Sequence, residues 1–168
     1  MATTSYLYHA LGLVRYQHLS TQYRGGAIYY HVSRKREERR CAGCGARWYE
    51  LVMQGGFQRS FRALPVGRRA QFVVLHGHFQ YCRRCAHTLR EPIDFTQGKR
   101  RRIKAFDRYV VELCRIAPIK HVALFLAVGW DLVKEIFTEH LSNRLRKRKL
   151  NKVRYLAVDE FSIRKGHH

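Results

Sequence analysis

The hydrophobic positions of this chain follow two different periods, and the change falls near residue 96. Before it, β-forming residues occur in short runs, as expected for strands. The runs occupy residues 27–32, 47–53, 57–64, 70–77 and 78–82. Turns are expected where glycine or proline interrupts them, at Gly25-Gly26, Gly55-Gly56, Pro65 with Gly67, and Gly77. The pattern therefore predicts a β-rich first half after a short helical or looped start.

Beyond residue 96 the apolar residues recur three and four positions apart, which is typical of amphipathic helices. The first predicted helix carries Ile103, Phe106, Tyr109, Val110, Leu113 and Cys114 at this spacing. Pro118 is expected to open a second helix, and Trp130 to begin a third. We expect Gly129 between them to adopt the left-handed conformation of a tight turn. The unit is predicted to be a helix-turn-helix with its last helix in the major groove, the alternative being a plain three-helix packing module.

Two C-x2-C pairs, Cys41 with Cys44 and Cys82 with Cys85, lie in the β-rich half. Each pair suits a tight knuckle, and two knuckles supply the four thiolates of a structural zinc site. The gap between the pairs is longer than in most zinc ribbons, so an enlarged hairpin is expected. The alternatives are buried cysteines without metal, a redox dithiol, or replacement of one cysteine by His76, His78 or His87. Cys114 is expected to be a core residue.

The charge balance is strongly basic, with 33 Lys and Arg against 12 Asp and Glu and a formal net charge of +21. Such a chain is attracted to polyanions, and nucleic acid is the expected partner. The predicted helix-turn-helix narrows this to double-stranded DNA. Solvated basic faces and a membrane surface are the alternatives. The predicted DNA contacts lie in the basic runs and on the helices: Arg100, Arg101, Arg102, Lys104, Lys120, Trp130, Lys134, Thr138, Arg144, Arg146, Lys147, Arg148 and Lys149.

The N-terminus has an apolar patch but neither a basic segment nor a small-residue cleavage site, so we expect no signal peptide. No apolar run approaches the about 20 residues of a membrane span. We therefore expect a cytoplasmic, nucleoid-associated protein in a reducing compartment, where disulfides rarely persist.

The order of these parts resembles transposases of the ISL-three insertion-sequence family. The most specific pieces are "CAGC", "YCRRC" and "VDEFSIRKGH", and the opening "YHALGLVRYQHLSTQY" is also similar. The resemblance implies a zinc-binding domain with Cys41, Cys44, Cys82 and Cys85 as ligands. It further implies a helix-turn-helix that binds terminal inverted repeats and an RNase H-like catalytic domain with three metal-binding acids.

Asp159 matches the first of those acids, at the end of the first strand of the RNase H-like sheet. Carboxylates at strand ends can hold the Mg²⁺ ions of phosphoryl transfer. The other two acids should lie far downstream of the 168 residues, so Mg²⁺ is expected only in a full-length protein. Without the resemblance, Asp159 is better explained as a surface acid paired with Arg164 or Lys165.

The predicted fold class is α+β, with a small zinc-ribbon-like β domain, a three-helix unit and a terminal strand. The expected divisions are a strand-containing segment at 1–40, the zinc-binding domain at 41–95, the helix-turn-helix at 96–152 and the start of a truncated catalytic domain at 153–168. Neither a membrane partner nor catalysis by this chain alone is expected, and a homodimer is left open.

The predicted function is the DNA-binding N-terminal region of a transposase. Three alternatives stay open: a regulator competing with full-length transposase, a complete nuclease, and a zinc-ribbon transcription or RNA-binding protein. In the last of these, the aromatic strands "IYYH" and "HFQY" would stack on bases.

Overall fold

The computed structural model describes residues 2–146 and confirms the α+β class. In chain order the elements are α1 (Ala2–His9), β1 (Tyr16–Arg24), β2 (Ala27–Arg34), β3 (Leu51–Val66), β4 (Arg69–Cys82), β5 (His87–Arg90), α2 (Lys104–Cys114), α3 (Ile119–Leu126) and α4 (Trp130–Leu145). Two single-turn 3-10 helices, Arg36–Glu38 and Trp48–Glu50, lie between β2 and β3. The predicted terminal strand and Asp159 lie outside the described residues.

Five strands form one sheet in the order β1-β2-β4-β3, with β5 pairing against the end of β4. The β2–β4 pair is parallel, running from Ile28 opposite Gln71 to Val32 opposite Leu75, and the other pairs are antiparallel. Strands from residues 1–40 and from residues 41–95 thus belong to one sheet. No helix within residues 2–146 is long and apolar enough to cross a membrane.

The predicted division of residues 47–82 into four short strands was wrong, because two long strands occupy this region. Gly55 and Gly56 lie inside β3 and Gly77 lies inside β4. A Cβ atom at Gly77 would overlap the ring of Phe57, so this glycine permits close packing between neighbouring strands. The turn at Gly67 is confirmed, with φ of 57°, and so is the β1–β2 hairpin.

One hydrophobic core joins the sheet to the helices. It contains Leu7, Leu11, Leu13, Tyr16, Val32, Phe61, Ala63, Val73, Leu75, Phe95, Ile103, Ala105, Phe106, Val110, Val111, Val122, Ala123, Leu126, Val133 and Ile136. Alternation along each strand puts the core side chains of the sheet on one face, and the other face carries polar residues together with Tyr29, Phe72 and Val74. The three-helix segment therefore packs on the sheet through a shared core.

The turn between α3 and α4 differs from the sequence expectation. Ala127 adopts the left-handed conformation, with φ of 50° and ψ of 52°, at the end of α3. Gly129 has an ordinary φ of −63° and precedes the first turn of α4 as its N-cap. The prediction that Gly129 supplies the left-handed residue was wrong, and alanine carries that strain instead.

A buried ion cluster fixes the segment between the sheet and α2. Arg34, with a side chain 4% exposed, lies 3.4 Å from Glu91, whose side chain is 2% exposed, and 3.1 Å from Asp94. Arg34 also donates to the hydroxyl of Tyr16 at 2.7 Å, and that hydroxyl donates to Asp94 at 2.8 Å. Burial raises the pKa of Tyr16, so the hydroxyl stays protonated.

Candidate functional site

Four cysteines from two distant parts of the chain converge at one end of the sheet. Cys41 and Cys44 lie between the two 3-10 helices, whereas Cys82 ends β4 and Cys85 precedes β5. Their Sγ atoms all lie within 4.8 Å of one another. Within the described residues, this is the group of Cys, His, Asp or Glu side chains arranged closely enough to hold a metal ion.

The two knuckles contain the same backbone hydrogen bond. In the first, the amide of Gly45 donates to the carbonyl of Cys41 at 3.0 Å. In the second, the amide of Ala86 donates to the carbonyl of Cys82 at 2.8 Å. Gly45 and Ala86 each lie four residues after the first cysteine and have φ of 72° and 54°. Each knuckle thus has the same turn, which places the two thiols of its pair on one side.

The distances between sulfurs match tetrahedral metal binding. Sγ of Cys41 lies 3.7 Å from that of Cys85, and Sγ of Cys44 lies 3.6 Å from that of Cys82. A tetrahedral ion with bonds of about 2.3 Å requires sulfurs about 3.8 Å apart. A disulfide requires about 2.0 Å, and all four cysteines are free. The four residues could therefore hold an ion such as zinc.

The surroundings favour a thiolate at Cys41. Burial opposes ionisation of the Cys41 thiol, but the backbone amides of Cys44 and Gly43 donate hydrogen bonds to its sulfur. The pKa of this thiol is lowered to about 6. Burial and hydrogen bonding among the thiols raise the pKa of Cys85 to about 12. Four mutually close thiols thus resist simultaneous ionisation without a cation, and a divalent ion would relieve this repulsion.

The histidines considered as alternative ligands contact groups other than the four sulfurs. His76 contacts His31 at 2.8 Å, and His78 lies 3.5 Å from Glu91. His87 follows the second knuckle, and its ring contacts the carbonyl of Cys85. Cys114 lies in α2 and packs partly against the main core. The four-cysteine set is therefore the one that the fold brings together.

The exposed surface of α4 carries three of the predicted DNA contacts in one row. Trp130, Lys134 and Thr138 are spaced by four residues, so they share a face of the helix. All three are exposed, whereas Val133 and Ile136 bury the opposite face. The ammonium group of Lys134 lies 4.7 Å from the centre of the Trp130 ring. This contact holds Lys134 close to the surface of the helix.

Two predicted DNA contacts instead neutralise the acids of α4. Arg102, whose side chain is 7% exposed, lies 2.8 Å from Glu135 and 2.6 Å from Asp107. Arg100 lies 2.7 Å from Glu139. The hydrogen bond from Arg102 lowers the pKa of Glu135, so this carboxylate remains charged and paired. The sequence placed both arginines in a basic run and gave no sign of these long-range partners.

The remaining predicted contacts are mostly exposed. Arg101, Lys104, Lys120, Arg144 and Arg146 are all on the surface. Among them, Lys104 donates to the carbonyl of Asp94 at 2.7 Å. Lys147, Arg148 and Lys149 lie outside the described residues. The structure does not gather the whole predicted set into one patch, since Arg100 and Arg102 are committed to carboxylates.

The sequence suggested "IYYH" as a base-stacking strand but did not reveal the groove on the polar face of the sheet. Tyr29, His31, Gln22 and Ser60 line a groove of about 520 Å³ on the side opposite the core. The alternation within β2 was visible in the sequence. Its neighbours were not, because the parallel pairing of β2 with β4 joins residues about 40 positions apart.

Comparison with known proteins relates the chain to a transposase. It is 29% identical over 129 residues to the transposase for insertion sequence element IS1001 of Bordetella parapertussis. The match covers 76% of this chain and 31% of that protein, so the chain spans about a third of its relative's length. No family model and no solved structure matches the chain. The similarity supports a role connected with transposition.

Proposed function

We propose that this chain binds duplex DNA at the ends of an insertion element. In this proposal α3 and α4 form a helix-turn-helix, and the exposed row of α4 lies in the major groove. The net charge of +21 supplies affinity for phosphate. The similarity to a transposase supports the connection with element ends, although the resemblance to one insertion-sequence family rests on the sequence motifs alone.

The observation that carries the proposal is the separation of charges on α4. Trp130, Lys134 and Thr138 are exposed in one row, while Glu135 and Glu139 are bound by arginines from the segment that precedes α2. An unpaired acidic row would repel the phosphates beside a groove-bound helix. Because Arg100 and Arg102 pair with Glu139 and Glu135, two of the three acids of α4 no longer oppose its approach to DNA, and Asp131 remains exposed.

We further propose that the ion held by the four cysteines is a structural Zn²⁺. Four sulfurs close a tetrahedral shell and leave no open position for a reacting water. The ion would hold the two knuckles together and would take no part in DNA chemistry. Strand cleavage would belong to a longer protein, in which Asp159 joins the two further acids that the family resemblance implies.

Fluorescence anisotropy tests the DNA proposal on two labelled duplexes, one from the termini of the element that encodes the chain and one shuffled. We expect the terminal duplex to bind at least 1,000-fold more tightly, on the order expected of specific DNA-binding proteins. Lys134→Ala and Thr138→Ala should each lower that ratio by about tenfold. Equal binding of the two duplexes by the unmodified chain would contradict specific recognition.

Arg84→Ala provides the matched control, because Arg84 is exposed beside the cysteines, far along β4 from the helices. Its removal should leave the preference for the terminal duplex unchanged. A loss of preference equal to that of Lys134→Ala would show that the row on α4 is not the reading surface.

A further inference from the structure

The face of the sheet opposite the core carries a recessed polar surface with an aromatic floor. Pairing across the four strands aligns Gln22, Tyr29, Phe72 and Arg62 in one row. The next row contains Ser20, His31, Val74 and Ser60. A groove of about 520 Å³, which we call the sheet groove, is lined by part of these rows: Gln22, Tyr29, His31, Val74 and Ser60. Its volume falls within the about 300–1,000 Å³ typical of ligand pockets.

The aromatic pair in the first row is pre-arranged for stacking. Tyr29 and Phe72 lie with ring centres 5.0 Å apart and planes 12° apart. The guanidinium of Arg62 lies 5.1 Å from the centre of the Phe72 ring. Tyr29 is half-buried and lines the groove, so part of its side chain is open to the solvent on strand β2. Such surfaces bind unpaired bases irrespective of sequence.

The polar rim of the sheet groove complements a phosphodiester chain. Arg24 is exposed at the hairpin end, and Gln22, Gln58, Ser60 and His31 offer hydrogen-bonding groups. The residues that line the groove within the described part of the chain include no acid. A cation beside an exposed aromatic ring suits a single strand, since duplex bases are stacked internally and cannot reach a ring on a sheet.

We propose that the sheet groove binds a short single-stranded segment of DNA, with one base stacked on Tyr29 and a phosphate beside Arg24. This inference rests on the proposed DNA-binding function and adds a second surface to it. The α4 row would hold a duplex, and the sheet groove would hold an unpaired segment of the same DNA. Each surface can be altered without touching the other.

The test uses the full chain with its metal and a fluorescein-labelled oligonucleotide of twelve thymidines. Tyr29→Leu should weaken binding about tenfold, the loss expected for one stacked base. Arg24→Gln should lower the slope of log affinity against log salt by about 0.7, the value for one phosphate of a single strand. Tyr23→Leu and Arg68→Gln are the controls, because both residues are exposed and neither lines the groove.

Duplex binding is measured in parallel with Lys134→Ala, so that the two surfaces are distinguished. A loss with Tyr29→Leu that is confined to the oligonucleotide supports the proposal, even if duplex recognition by α4 fails its own test. Unchanged oligonucleotide binding overturns it. An equal loss with Tyr23→Leu, an equal loss on duplex, or tighter binding of twelve uridines than of twelve thymidines overturns it as well.

Discussion

The two ends of strand β4 are stabilised in different ways. At one end, the cysteine end, the small cluster of Cys41, Ala46, Leu51 and Cys82 is buried around four sulfurs. At the other end, the helices and the sheet share a core of twenty buried residues. About 23 Å of strand separates Leu75, in the shared core, from Cys82, at about 3.3 Å per residue. The cysteine end buries little apolar surface, so the proposed ion would hold its turns, whereas the helical end is held by its core.

The largest expected effect comes from removing one sulfur. Cys82→Ser should abolish metal binding and unfold residues 41–47 and 82–87, because structural zinc contributes on the order of 10 kcal/mol to the folding of such sites. The helical end should remain folded. Metal content by mass spectrometry and amide hydrogen exchange measure the two effects. Cys114→Ser is the matched control, since Cys114 lies outside the cluster and should leave the metal content unchanged.

The unfolding is expected to stay local and not to extend through the β-rich half of the chain. Phe61, Val73 and Leu75 belong to the main core and lie far from the sulfurs along their strands. Exchange protection lost throughout β3 and β4 in Cys82→Ser would show that the two ends are one cooperative unit and would contradict the local account.

An intermediate effect is expected from the buried ion cluster that lies between the two ends. Arg34→Met would leave Glu91 buried with its charge poorly paired, and the free energy of unfolding should fall by about 3–5 kcal/mol. Urea denaturation measures this change. Arg36→Met is the control, because Arg36 is exposed and contacts the Trp48 ring at 4.6 Å. It should cost about 1 kcal/mol or less. Equal costs for the two variants would contradict a structural role for the cluster.

The smallest expected effect lies in the α3–α4 turn. Ala127→Gly should stabilise the chain by about 1 kcal/mol, because glycine adopts a φ of 50° without the steric cost that alanine bears. Gly129→Ala should destabilise the chain by about 0.5–1 kcal/mol, because alanine is a poorer N-cap than glycine although a φ of −63° suits both. Thermal unfolding monitored at the helical end distinguishes them. Destabilisation by Ala127→Gly would contradict the left-handed assignment.

The sequence predicted those features that depend on local spacing. The two C-x2-C pairs, the helix that follows Pro118 and the hairpin at Gly25-Gly26 depend on residues a few positions apart, and the structure contains all of them. Local spacing did not predict which residue of the α3–α4 turn is left-handed, since Ala127 and not Gly129 adopts that conformation. Glycine permits a left-handed conformation, but the packing of α3 against α4 decides which residue adopts it.

Features that join distant residues were not predictable. Gly77 signalled a turn by composition, yet it lies within β4 because the ring of Phe57 occupies the space beside it. Arg102 looked like a phosphate contact within a basic run, yet Asp107 and Glu135 bind it in the fold. The sheet groove needed the parallel pairing of β2 with β4, which no local pattern encodes. In each case tertiary contact overrode a local preference.

The central claim is that the helical end, and not the cysteine end, recognises duplex DNA. Hydrogen exchange of the full chain with and without a duplex from the element's termini tests it most directly. The account predicts added protection at residues 129–139, with residues 41–47 and 82–87 exchanging as in the free protein. Protection confined to the two cysteine knuckles, with α4 unchanged, would contradict it.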